Sequence, residues 1–113
     1  MSSKASIQDL IAKIRNMPSD VVDPKLESYA LQLSAEVITL GAECVRAEHK
    51  YKKELARCRE KRKTKADAEI LAETSNAYCE WRKLKYLRED AKEVIRTANN
   101  ILRSWAEERY IQH

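Results

Sequence analysis

The chain has 113 residues, of which 35% are charged, and it contains one Gly, two Pro and no Phe. So few turn-forming residues exclude a sheet protein of this length and predict a single all-α domain. The net charge of +4 is too small to indicate nucleic acid by itself. No apolar run approaches the ~18 residues of a membrane span, so we expect no membrane partner.

The first predicted helix covers residues 6–17. Its apolar side chains recur at helical spacing and form a narrow stripe of Ile7, Leu10, Ile11 and Ile14. Ser6 is the predicted N-cap of this helix. Pro18 is predicted to end it, because the residue before a proline is pushed out of the α region.

A second and much longer helix is predicted over residues 24–63. Asp23 suits its N-cap and Pro24 its first position. Apolar residues then alternate at spacings of four and three, the heptad pattern of a coiled-coil seam. The seam comprises Leu26, Ala30, Leu33, Val37, Leu40, Cys44, Ala47, Tyr51 and Cys58, with Leu55 beside it. Gly41 inside this helix indicates a close helix approach, a slight bend or a tolerated defect.

A third helix is predicted as one continuous element over residues 65–110. Thr64 and Asp67 have the spacing of an N-cap and an acidic third helical position. One apolar stripe of this helix consists of Ile70, Thr74, Ala77, Trp81, Leu84, Arg88, Ala91, Ile95, Ala98, Leu102 and Trp105. An adjacent stripe consists of Leu71, Tyr78, Leu87, Val94 and Ile101. Together the two stripes make an apolar face broader than one partner helix would cover.

The predicted architecture is a short N-terminal helix followed by a long antiparallel helical hairpin of coiled-coil type. The turn of the hairpin lies near Lys63 and Thr64, and each arm is roughly 60 Å long at about 1.5 Å per residue. A two-helix arm buries little surface, so we expect a homo-oligomer, a dimer or a tetramer, that covers the rest. The sequence leaves open whether the turn folds back within one chain or straightens in a swapped dimer.

Positive charge is concentrated at the predicted turn. Residues 50–65 contain nine basic and two acidic side chains, a formal charge of +7, so the rest of the chain sums to −3. The candidate nucleic-acid-binding residues are Arg57, Arg59, Lys61, Arg62, Lys63, Lys65, Arg82 and Lys83. Phosphate contacts by these side chains would give salt-dependent, sequence-independent affinity for DNA or RNA. An acidic protein partner, or a solvated helix end favoured by the helix dipole, are the alternatives.

The nearby aromatic residues Tyr51, Tyr78 and Trp81 fit the apolar seam. They would stack on bases only if they were exposed. The sequence therefore favours contact with phosphates rather than with bases.

No arrangement of residues indicates catalysis or metal binding. His49 and His113 are the only histidines and lie far apart, and there is no glycine-rich phosphate loop. The three cysteines form no CxxC motif and are predicted to be small, reduced residues of the buried seam. Because reduced cysteines without a signal peptide suit a reducing compartment, we predict a non-enzymatic cytoplasmic protein that needs no cofactor.

The run EKRKTKADAE at residues 60–69, the following Leu71-Ala72-Glu73 and the segment 84–102 carry a family resemblance. Over residues 54–105 the chain resembles small helical-hairpin proteins that are encoded in tailed-bacteriophage and prophage genomes, often near recombination or early genes. The resemblance implies a phage origin, a location in the host-cell cytoplasm and an accessory role in DNA metabolism. It supplies no catalytic residues.

Two classes of function follow from these features. The favoured one is accessory binding of nucleic acid or of a nucleoprotein complex through the basic tip of the hairpin. The alternative is a protein-binding module, such as an adaptor or an inhibitor of a host enzyme or defence system. Such a module would use exposed Trp81, Tyr86 or Tyr110 as anchors. A structural spacer is a third interpretation.

Overall fold

The computed structural model describes residues 3–18, 20–62 and 64–111. Its four helices are α1 (Ser3–Arg15), α2 (Lys25–Lys61), α3 (Lys65–Glu73) and α4 (Asn76–Ile111). These ranges contain no strand, so the all-α prediction is confirmed. No helix in the described part of the chain combines the length and apolar composition that crossing a membrane requires.

The chain divides into two compact units. Residues 1–38 and 89–113 form the first, which we call the terminal unit, and residues 39–88 form the second, the central unit. Both units contain parts of α2 and α4. The central unit also contains α3, and the terminal unit contains α1.

Two of the predicted N-caps are confirmed by their capping hydrogen bonds, although α2 covers Lys25–Lys61 and not residues 24–63. The Lys25 backbone N–H donates to Asp23 Oδ1 at 2.9 Å, so Asp23 caps α2. The Asp67 backbone N–H donates to Thr64 Oγ1 at 3.1 Å, and Thr64 has the extended backbone of an N-cap. Each cap satisfies a backbone donor that the first helical turn leaves without an intrahelical partner.

The predicted N-cap of α1 is wrong. The helix begins at Ser3, so Ser6 lies inside it, where its backbone is helical. No Gly or Pro separates Ser3 from Ser6, and nothing in that stretch prevents an additional turn. At its other end α1 stops at Arg15, ahead of Pro18, two residues earlier than predicted.

The predicted third helix is interrupted between α3 and α4. The Thr74 hydroxyl donates to the Leu71 carbonyl at 2.6 Å, and the Ser75 hydroxyl donates to the Ala72 carbonyl at 2.6 Å. The Ser75 hydroxyl also accepts the Tyr78 backbone N–H at 3.2 Å, which is the bond of an N-cap. Side chains that compete for backbone groups in this way end one helix and start the next.

This interruption changes which face of α3 is buried. Ala68 and Ala72 are fully buried, whereas Ile70 is 64% exposed. The prediction that Ile70 continues the apolar stripe of α4 is therefore wrong. The stripe assumed one unbroken helical phase, and the break at residues 74–75 removes it.

The terminal unit has a core of aliphatic side chains and one tryptophan from three helices. Its buried residues are Ile7, Leu10, Ile11, Ile14, Leu26, Ala30, Leu33, Val37, Ala91, Val94, Ala98 and Trp105. Two contacts connect α1 to its neighbours: Arg15 forms an ion pair with Asp90 of α4, and Lys13 Nζ lies 5.5 Å from the centroid of the Tyr29 ring of α2. The apolar stripe predicted for the first helix is therefore buried as expected.

In the central unit, α2 runs antiparallel to α3 and α4. Gly41 lies against Arg88, Tyr51 contacts Tyr78, and Cys58 packs with the alanines of α3. As the residue number rises along α2, the residue number of the contact partner falls, from Arg88 through Tyr78 to the alanines of α3. This order shows that α2 is antiparallel to the other two helices. At Gly41 the missing side chain makes room for the Arg88 guanidinium, since a Cβ there would lie 3.3 Å from Arg88 Nε.

Candidate nucleic-acid interface

Small side chains hold α2 and α3 together next to the turn that joins them. We call this turn, with its flanking cations Arg59, Lys61, Arg62 and Lys65, the basic turn. Cys58, Ala68 and Ala72 form a buried cluster, with exposures of 2%, 0% and 0%. Partly buried side chains complete the cluster: Tyr51, Leu55 and Leu71. Because small residues let two helices approach closely, a short turn joins α2 and α3, and the side chains of Arg62 and Lys65 beside it are exposed.

The turn itself carries exposed cations around a shallow depression. Arg59, Lys61, Arg62 and Lys65 are all exposed. A depression of ≈ 240 Å³ is lined by Arg59, Arg62, Thr64 and Lys65. None of these four basic side chains forms an ion pair with another described residue. The predicted contact residue Lys63 lies outside the described residues.

Arg57 differs from the other predicted contact residues because it has an acidic partner. Its guanidinium binds the Glu54 carboxylate with two hydrogen bonds, one of which joins Nε to Oε2 at 3.1 Å. These hydrogen bonds hold the pKa of Glu54 below its ordinary value. The charge of Arg57 is thus partly neutralised within the chain, which makes it a weaker phosphate ligand than its position in the sequence predicted.

Arg82 and Lys83 are not brought to the depression. The Arg82 guanidinium donates to the Tyr86 hydroxyl and lies 4.6 Å from the centroid of the Tyr86 ring and 6.0 Å from that of Tyr78. Lys83 is exposed on α4, and neither residue lines the depression. The structure therefore separates these two residues from the depression that Arg59, Arg62 and Lys65 line.

The aromatic side chains near the turn pack on one another. Tyr51 stacks on Trp81 with ring centroids 5.2 Å apart and planes 9° apart, and Tyr78 lies 5.1 Å from Tyr51. Burial, followed by the nearby Glu73 carboxylate, raises the pKa of Tyr51 above its ordinary value. Because all three rings are half-buried, they fit the seam as predicted, and the expectation that Trp81 is an exposed anchor is wrong.

The other predicted anchors and the cysteines lie in different places. Tyr86 is 54% exposed, as an anchor would be, while the side chain of Tyr110 lies outside the described part of the chain. Cys58 is buried as predicted, but Cys79 is exposed, because α4 turns it away from the seam. Among the described residues, no group of three His, Cys, Asp or Glu side chains is placed to bind a metal ion.

A row of exposed apolar residues on α2 was not predicted. Leu31, Ile38 and Val45 follow one another at seven-residue intervals and are 66%, 78% and 54% exposed. Ala35 and Ala42 lie between them and are also exposed. We call these five residues the outer face of α2. Their heptad spacing is visible in the sequence, but it is hidden by the stronger buried seam on the same helix.

Comparison of the chain with protein-family models, with curated proteins and with solved structures finds no match. Any inference about function must therefore start from the exposed basic turn and the outer face of α2.

Proposed function

We propose that the protein is a non-enzymatic, helical-hairpin nucleic-acid-binding protein that contacts the phosphate backbone through its basic turn. The observation that supports this proposal is the set of four exposed cations, Arg59, Lys61, Arg62 and Lys65, which form no ion pair within the described residues. Nucleic acid carries a condensed layer of counterions around its phosphates. Lys and Arg side chains that neutralise those phosphates release the counterions, which favours association and makes it salt-dependent.

The size of the depression supports a phosphate group as the bound chemical group. At ≈ 240 Å³ it is smaller than the roughly 300–1,000 Å³ of typical small-molecule pockets. Arg59 and Arg62 supply planar guanidinium donors, which match phosphate oxygens, and Lys65 supplies a point charge. Tyr51 and Trp81 stack on each other and are both half-buried, so they are poorly placed to stack on bases. Binding should therefore be independent of sequence.

The resemblance over residues 54–105 supports a biological setting for this activity. We place the protein among accessory proteins of phage or prophage DNA metabolism that act in the host-cell cytoplasm. In that setting, the basic turn would attach the protein to DNA or RNA, or to a nucleoprotein complex. The turn needs no cofactor for this role, because binding rests on charge alone.

The experiment is fluorescence anisotropy with labelled mixed-sequence single-stranded and duplex DNA over a salt series. The test variant is Arg59→Glu/Arg62→Glu/Lys65→Glu. A matched control reverses two arginines and one lysine that are exposed on α4, in the variant Lys92→Glu/Arg96→Glu/Arg103→Glu. Each triple reversal changes the net charge by the same amount. The control also removes the ion pair of Arg96 with Glu93, so circular dichroism checks that it stays helical.

We expect the test variant to lose affinity at least about 30-fold at low salt and the control to lose much less. The slope of log affinity against log salt should fall by about 0.9 for each duplex phosphate contact removed. Equal losses in both variants would show that net charge, and not the turn, drives binding. Undiminished binding by the test variant would refute the proposal.

The alternative function, a protein-binding module, is favoured by one specific observation. Tyr86 is a large, exposed aromatic side chain supported by the Arg82 guanidinium, an arrangement typical of an interface anchor. If wild-type protein does not bind DNA or RNA even at low salt, an adaptor or inhibitor becomes the better hypothesis. Partner capture that is unchanged by Tyr86→Ser would then rule out this anchor.

A further inference from the structure

The outer face of α2 has the composition of an interface. Between residues 28 and 42 the sequence contains a single charged residue, Glu36, although 35% of the whole chain is charged. Glu36 is half-buried, and the exposed residues in this stretch are Ser28, Leu31, Gln32, Ala35, Ile38, Thr39 and Ala42. Loss of charged residues is the compositional signal of an interface core, whereas a solvated helix face is normally rich in charge.

The arrangement of large and small side chains on this face is regular. Leu31, Ile38 and Val45 occupy one heptad position, and Ala35 and Ala42 occupy the other. All five belong to one continuous helix, so their spacing is fixed by α2 alone. Isolated exposed apolar residues are common on proteins, but a row repeated every seven residues is the pattern of a helix that packs against another helix.

We propose that the outer face of α2 binds the same face of a second copy of this chain, with the two α2 helices antiparallel. With a twofold axis near residue 40, Ile38 of one copy lies opposite Ala42 of the other, and Val45 lies opposite Ala35. Each of these central layers contains one large and one small side chain, so the helices approach closely there. Leu31, at the end of the row, lies opposite the exposed His49 of the other copy. The surface is thus complementary to itself, as an interface with twofold symmetry must be.

A parallel arrangement would fit less well. It would place Ile38 against Ile38 and Ala42 against Ala42, which alternates wide and narrow layers and leaves gaps beside the alanines. Like-charge repulsion also does not oppose the antiparallel pair. At its edges Gln32 lies near Arg46 of the other copy, and Ser34 lies near Glu48.

The chemistry of the face favours a second copy over a charged partner. The uncharged face offers no opposite charge that would select an acidic or a basic protein. The row from Leu31 to Val45 is about 21 Å long at 1.5 Å per residue. A helix pair of this length falls at the small end of specific interfaces, so we expect a dimer with a Kd in roughly the micromolar range.

The experiment is sedimentation equilibrium of the full chain over a concentration series, with variant Ile38→Glu. The matched control is Ile70→Glu, which places the same charge at an isoleucine of similar exposure on α3. We expect Ile38→Glu to raise the dimer Kd at least about 100-fold, because the interface would bury two carboxylates, and Ile70→Glu to leave it unchanged. Far-UV circular dichroism checks that both variants stay helical.

A second variant tests the pairing of large with small side chains. Ala42→Leu adds an apolar group to an exposed position, so it should not destabilise the monomer, but it should weaken the dimer by crowding Ile38 of the other copy. Wild-type protein that is monomeric at about 100 µM overturns the proposal. A wild-type dimer that is unaffected by Ile38→Glu and Ala42→Leu also overturns it, since another surface then joins the copies.

Discussion

Replacing Gly41 by alanine tests the close contact between α2 and α4 in the central unit. The glycine has no positive φ, so alanine fits the helix and should recover about 1 kcal/mol of helix propensity. Against this gain, the new Cβ would lie 3.3 Å from both Nε and Nη2 of Arg88. These atoms belong to the guanidinium of a long side chain, and moving them by a few tenths of an ångström should cost about 0.5 kcal/mol, the lower end of the penalty for an off-rotamer side chain. We therefore expect a net stabilisation of about 0.5 kcal/mol, or about 2 °C in Tm.

A double-mutant cycle with Arg88→Met isolates the contact. Methionine keeps an aliphatic stem but removes the guanidinium, including the buried Nε that has no hydrogen-bond partner in the described structure. In that background Gly41→Ala should stabilise by the full value of about 1 kcal/mol, giving a coupling of about 0.5 kcal/mol. Urea unfolding followed by circular dichroism measures all four proteins, in an Ile38→Glu background so that the proposed dimer does not contribute.

The result that would refute this reasoning is destabilisation by Gly41→Ala in both backgrounds. The added methyl group would then meet backbone or a rigid side chain, not the mobile end of Arg88. Additivity within about 0.3 kcal/mol would equally contradict the contact, because residues that do not touch do not couple.

Three further predictions concern the core, the helix break and a titrating tyrosine. Leu33→Ala should lower the free energy of unfolding by about 2–5 kcal/mol in urea denaturation, since Leu33 is fully buried; a loss below about 1 kcal/mol would contradict its place in the core. Ser75→Ala should lower the free energy of unfolding by about 1 kcal/mol, because it removes the hydroxyl that caps the Tyr78 N–H. Ser34→Ala, a control inside α2, should change it by no more than about 0.5 kcal/mol. Burial raises the pKa of Tyr51, so its contribution to stability is complete below pH 10.0 and is lost as the pH rises above that value. The difference in unfolding free energy between the wild type and Tyr51→Phe should therefore be constant below pH 10.0 and change only above it, and ultraviolet titration of Tyr51→Phe should lose a tyrosinate component above pH 10.0.

The buried seam of α2 could be predicted from the sequence because it depends on one uninterrupted helix. Every residue assigned to it, from Leu26 to Cys58, is buried or half-buried. Periodicity within a single helix needs no knowledge of the rest of the fold. The caps at Asp23 and Thr64 were equally predictable, since capping is a local interaction between a side chain and the next few backbone groups.

The break between α3 and α4 was missed although its residues are visible. Thr74, Ser75 and Asn76 are three consecutive residues that prefer caps to helix interiors. The apolar spacing from Ile70 to Ala77 continues across them and predicted an unbroken helix. Hydroxyl groups that hydrogen-bond to nearby backbone groups ended the helix at this point. The apolar stripe did not prevent this, because Ile70 stays exposed and its burial adds nothing to the stability of an unbroken helix.

The positive charge of the basic turn could be predicted from the sequence. Which of its cations already have a partner within the chain could be predicted only in part. Arg57 follows Glu54 by three residues, a spacing at which helical side chains form ion pairs. Arg82 lies four residues from both Tyr78 and Tyr86, which likewise places it on their rings. The depression lined by Arg59, Arg62 and Lys65 could not be predicted, because it depends on how closely α3 packs on α2.

The outer face of α2 has the same seven-residue periodicity as the buried seam of that helix. At roughly 3.6 residues per turn, Leu31 and Ile38 lie on the side of α2 opposite Leu33 and Leu40. Helices that pack on the buried side of α2 cannot also cover the other side. A helix with two apolar rows therefore satisfies only one of them within the chain, and the second row stays in water unless another molecule covers it. An exposed apolar row lowers the solubility of the isolated chain, and the proposed dimer would cover it without any further partner.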